Sequence, residues 1–110
     1  MNKASIEINI IDESDRRDCD AACGTDWSSP DALALATRQV RERFGGGARL
    51  EYLDLSRSTR DRQAREWRHA IREKNLSVPL LLINGRLRIA GQFDIRQLVD
   101  AVEAEMEIGV

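Results

Sequence analysis

Two apolar runs joined by an asparagine-glycine step constrain this chain more than any other feature. Val78 to Ile83 is continuously apolar, Asn84-Gly85 follows, and Leu87 and Ile89 then alternate with Arg86 and Arg88. Asn-Gly suits a two-residue type I′ turn because both central residues must take positive φ. The segment therefore predicts a β-hairpin and an antiparallel strand pair. Pro79 lacks the N–H that a sheet ladder needs, so it fits best at the first residue of a strand.

The other elements follow from hydrophobic period. Ile6, Ile8 and Ile10 alternate with Ser5, Glu7 and Asn9, predicting a half-buried strand over roughly 5–11. A polar loop from Asp12 to Ser28 comes next and holds both cysteines, Cys19 and Cys23. Ser29 offers an N-cap oxygen and Pro30 suits the first helical position. Leu33, Ala36, Val40 and Phe44 recur at helical spacing until Gly45-Gly46-Gly47, which predicts a helix over 30–44. Leu50, Tyr52, Leu53 and Leu55 place apolar groups on both faces of a short strand, which predicts an interior position covered by helices. Ser58 and Asp61 resemble a capping box, and Ala64, Trp67 and Ile71 trace the buried stripe of a second helix ending near Asn75. Asp94 and Gln97 form a further box, opening a last helix with Ile95, Leu98, Val99, Val102 and Met106 as its apolar stripe.

The predicted order is β-α-β-α-β-β-α. A strand-helix-strand unit needs a parallel pair and the tight hairpin an antiparallel one, so a mixed four-stranded sheet with helices on both faces satisfies both. At 110 residues the chain predicts one α/β domain spanning 1–110. Hydrophobic residues at 42% and charged residues at 33% are those of a globular protein, and a net charge of −2 gives no reason to expect nucleic acid or an anionic membrane as partner. From Arg57 to Lys74 seven basic residues stand against three acids, read as the solvated face of the second helix. With no apolar run of signal-peptide or membrane-span length, the expectation is a cytoplasmic protein of bacterial style, without a membrane partner. In a reducing compartment two cysteines point to free thiols, a transient disulfide or ligation.

The stretch Ser77-Val78-Pro79-Leu80-Leu81-Leu82-Ile83-Asn84-Gly85, followed by Gly91 and an amphipathic helix, resembles the second half of thioredoxin-family proteins. The resemblance implies a thioredoxin-like fold, a cis peptide bond before Pro79, and contact between that proline and the cysteine motif. It further implies a thiol-disulfide oxidoreductase or redox sensor acting on a protein thiol or disulfide, with no cofactor. Cys19 would attack, Cys23 would resolve, and Val78, Pro79 and Trp27 would bind the substrate chain. The family motif separates its cysteines by two residues at the first turn of a helix; here three, Asp20-Ala21-Ala22, intervene.

Were 19–23 one helical turn, the two Cα atoms would lie near the ~6.8 Å upper limit for a disulfide, a geometry that makes a bridge easily reduced. Asp18 and Asp20 flank Cys19, and like charge disfavours its thiolate, favouring a reductant, a sensor or a binding site over an oxidase. The string Cys23-Gly24-Thr25-Asp26 is similar to a segment of arsenic metallochaperones, and the three-residue cysteine spacing is similar to that of copper-delivery proteins of the same fold; together they imply a second reading, a soft-ion site taking arsenite, copper or zinc on Cys19 and Cys23. His69 is the sole histidine candidate for a copper site of that kind. The third reading is a thiol-inert interaction module, with Cys23 packed beneath the loop and Trp27 as the lid of that packing.

Overall fold

The computed structural model describes residues 6–13, 27–56 and 62–108. The elements in chain order are β1 (Ile6–Asp12), α1 (Pro30–Phe44), β2 (Ala48–Asp54), α2 (Arg62–Lys74), β3 (Leu80–Ile83), β4 (Arg86–Ala90) and α3 (Ile95–Ile108). Order and type agree with the hydrophobic period of the sequence. The four strands form one mixed sheet in the order β2-β1-β3-β4, with β1 parallel to β2 and antiparallel to β3, and β3 antiparallel to β4.

Alternation along β1 divides the apolar side chains between two faces. Ile6, Ile8 and Ile10 join Leu81 and Ile83 in one cluster with Ala36 and Val40 of α1 and Leu98, Val99 and Val102 of α3. Ile11 joins Leu80 and Leu82 in a second cluster with Ala64 and Ile71 of α2, against which Trp67 and Leu53 are packed. So α1 and α3 cover one face and α2 the other. All four residues of β3 are buried, as expected of a strand paired on both edges and covered on both faces. It begins one residue after Pro79.

Local chemistry explains the boundaries. Asn84 and Gly85 take φ of 53° and 82°, the two positive angles the turn demands. Asn84 also ties the turn to β1: its N–H donates to the Glu7 carbonyl at 2.8 Å, and its Oδ1 accepts from the Glu7 N–H at 2.9 Å. In the box that opens α3, the Asp94 N–H donates to Gln97 Oε1 at 2.9 Å and the Gln97 N–H to Asp94 Oδ1 at 2.8 Å. At the end of α2, Asn75 has φ 55° and the Leu76 N–H reaches back to the Ile71 carbonyl at 3.0 Å, a Schellman closure with Leu76 and Ile71 in one apolar cluster. The expected box at Ser58 and Asp61 lies outside the described residues.

Four expectations need correction. β2 is an edge strand, because β1 takes β2 and β3 as its two neighbours; Arg49 and Glu51 of β2 are exposed accordingly. Ser29 occupies the N-cap in extended geometry, φ −80° and ψ 128°, but its hydroxyl makes no capping bond; the first helical bond runs from the Leu33 N–H to its carbonyl. Met106 is 40% exposed, and Glu105 takes the buried position beside it. Finally, β4 does not alternate simply: Leu81 pairs with Ile89 and Leu82 with Leu87, which leaves Arg88 as an extra, bulged residue.

Candidate functional site at the carboxyl end of β1

The parallel pair β1 and β2 ends at Asp12 opposite Asp54, and both carboxylates are buried. Burying a carboxylate is unfavourable unless it is hydrogen-bonded. Asp12 Oδ1 accepts the Glu13 N–H at 2.8 Å and Oδ2 accepts the Tyr52 hydroxyl at 3.2 Å, while the Leu55 N–H donates to its carbonyl at 2.7 Å. Asp54 Oδ1 accepts the Ser56 N–H at 3.0 Å. A recess of about 290 Å³ opens between Asp54, Tyr52 and the start of α1, bounded by Ser28, Pro30 and Leu33.

Pro79 meets this end of the sheet from the other side. Ile11 pairs with Leu80, so Pro79 falls one position beyond that pair, next to Asp12. The Val78-Pro79 bond is cis, as the sequence resemblance implied. Pro79 is buried, Val78 is half-buried against the α2 cluster, and the Pro79 carbonyl accepts the Gly91 N–H at 2.9 Å. Gly91 has φ 111°, a conformation that L side chains rarely adopt.

Trp27, expected among the substrate-binding residues, is a core residue in the structure. Its ring is fully buried, its Nε1–H donates to the Phe93 carbonyl at 3.0 Å, and its centroid lies 5.2 Å from that of Phe93. It anchors the segment entering α1 to the segment entering α3. His69 lies on the exposed side of α2, its Nε2 3.6 Å from Glu73 Oε2.

Cys19 and Cys23, the expected catalytic or ion-holding residues, lie outside the described residues. Among the described residues no group of three or more His, Cys, Asp or Glu side chains is arranged to hold a metal ion, and no helix is long and apolar enough to cross a membrane. Asp12, Tyr52 and Asp54 were not singled out from the sequence. Asp12 read as the first residue of a polar loop, and only its pairing with Asp54 shows it to be the last residue of a buried strand.

No family model matches the chain, and no curated protein matches it. Among solved structures it is similar to a Staphylococcus aureus protein of unknown function, SA0789, with a TM-score of 0.58 and 14% identity, over 94% of this chain and 93% of that one. At that identity the likeness concerns the fold alone, a small α/β arrangement with a four-stranded mixed sheet and three helices.

Proposed function

We propose that the chain is a thioredoxin-like thiol-disulfide oxidoreductase or redox sensor that works through Cys19 and Cys23. The observation that carries the reading is the register Ile11 to Leu80, which sets Pro79 beside the end of β1, the strand that runs into the cysteine loop. The mixed four-stranded sheet with helices on both faces supports it, being the kind of architecture the resemblance implies. The far end of the loop is tied as well: Cys23 stands four residues before the buried Trp27, a tether that spans at most roughly 14 Å.

In the reaction, the Cys19 thiolate attacks one sulfur of a substrate disulfide, forming a mixed disulfide and releasing one substrate thiolate. The Cys23 thiolate then attacks Cys19 Sγ, releasing the second substrate thiolate and leaving a Cys19–Cys23 disulfide. The substrate gains two electrons and the cysteine pair loses them; an external dithiol restores the pair. Val78 and Pro79 shape the groove beside it, where backbone pairing recognises an extended chain with little demand on its sequence.

Mass spectrometry of the alkylated protein, with and without reductant, tests the proposal. Loss of two hydrogens on oxidation, reversed by dithiol and absent in Cys19→Ser and Cys23→Ser, is the expected result. Tight arsenite, copper(I) or zinc binding that both variants abolish, without reversible oxidation, would replace exchange by ion handling. Thiols that resist alkylation in the folded protein would leave an interaction module.

A further inference from the structure

On the face of the sheet covered by α2, three register partners run across three strands: Glu51 of β2, Asn9 of β1 and Leu82 of β3. The neighbouring row on that face, Leu53, Ile11 and Leu80, is apolar and is sealed by Ala64 and Ile71 of α2. The row through Asn9 is not sealed. It floors a recess of about 270 Å³ walled by Gln63 and Trp67 of α2. An asparagine in the central region of a sheet is unfavourable unless its amide is served. Within the described residues no hydrogen bond engages the Asn9 carboxamide or the Trp67 indole N–H. Both side chains are half-buried, so they stay within reach of solvent and of a ligand that takes its place.

We propose that this recess binds a small organic cation, a guanidinium or primary ammonium group on a short apolar stem. Glu51 is the charged side chain among the described lining residues, and it is an acid. Its partner Arg49, 3.3 Å away, shares only a solvent-exposed ion pair, which a ligand can replace at little cost. Trp67, Asn9, Leu53 and Leu82 all line the recess, and their chemistry suits the parts of such a ligand: an aromatic ring and an amide oxygen for the cation and its N–H groups, two leucines for the stem. The volume sets the size. At ~30 Å³ for each water-sized group the recess holds roughly nine non-hydrogen atoms, below the range of drug-sized pockets. The site is independent of the thiol reading, since it uses neither cysteine nor the end of the sheet at Pro79.

The test uses butylguanidinium and its neutral isostere butylurea, followed by the Trp67 indole N–H signal in a two-dimensional NMR spectrum assigned with Trp67→Phe. The expected result is a saturable shift with butylguanidinium at a dissociation constant at least roughly tenfold below that of butylurea, a difference that Glu51→Gln removes. Glu51 is exposed on an edge strand, so the variant is expected to keep its amide spectrum elsewhere. Equal affinity for butylurea, no saturable shift, or full affinity in the folded Glu51→Gln protein would each overturn the proposal.

Discussion

Arg88 Nη1, on the bulged residue of β4, stands 3.4 Å from Oε1 of the buried Glu105. In an unbulged strand Arg86 and Arg88 would share one face and Leu87 and Ile89 the other. Arg86 also approaches Glu105, its Nη1 3.8 Å from Oε2, and the extra residue turns Ile89 onto the same face, where it joins the core under α3. Glu105 Oε1 makes no hydrogen bond, so its desolvation is offset by charge alone. Removing one arginine leaves a buried carboxylate short of compensation, whereas removing the acid leaves two arginines that can reach solvent. Arg88→Ala is expected to destabilise by about 1–3 kcal/mol and Glu105→Leu by less, both read from urea unfolding midpoints. The reverse ranking would show that the pair does not matter to the fold.

Trp27 joins two segments far apart in sequence. Trp27→Phe keeps most of the ring contact with Phe93 but deletes the donor to its carbonyl, so a loss of about 1–2 kcal/mol is expected. Trp27→Ala leaves a cavity and is expected to lose about 3–5 kcal/mol. Thermal unfolding of the two variants measures both; no loss in Trp27→Phe would mean that the hydrogen bond contributes nothing, and equal losses that the ring contact does not.

The box at the start of α3 is reciprocal, so either half can be removed alone. Asp94→Ala is expected to lose about 1 kcal/mol, since it strips the cap from the Gln97 N–H, and Asp94→Asn to recover most of it. Chemical denaturation of the pair checks this, with the slope against denaturant unchanged.

At the end of β1, the Tyr52 hydroxyl is one of the donors that hold the buried Asp12 carboxylate. Tyr52→Phe removes it without changing the ring, and a loss of about 1–2 kcal/mol is expected. An unshifted unfolding midpoint would show that another group, or solvent, supplies the charge with its hydrogen bond.

The hairpin at Asn84-Gly85, the limits of α1 and the box at Asp94 were legible in the sequence, because each rests on chemistry within a few residues of chain. What was not legible depends on which strands are neighbours. β2 carries apolar residues on both faces yet lies at an edge, since pairing with β1 alone satisfies it. Met106 and Glu105 are adjacent on α3, and only the arginines of β4 decide that the acid is the one buried. Trp27 sits in a polar stretch whose period carries no signal, so its burial against Phe93 was visible only in three dimensions. Of the candidate site, Pro79 could be placed from sequence; Asp12 and Tyr52 could not, because their meeting is a matter of strand register.

The sheet divides the apolar interior into unequal halves. Among the described residues, twelve buried side chains lie in the cluster shared by α1 and α3, and six in the one beneath α2. A helix held by the smaller half, with an open recess along its edge, is expected to detach at a lower free energy than whole-molecule unfolding requires. Amide protons of α2 should then exchange with deuterium well ahead of those in β1, β3 and α3, so that the molecule breathes on one side while the other stays closed. Matching exchange rates in α2 and α3 would mean instead that the two halves open as one.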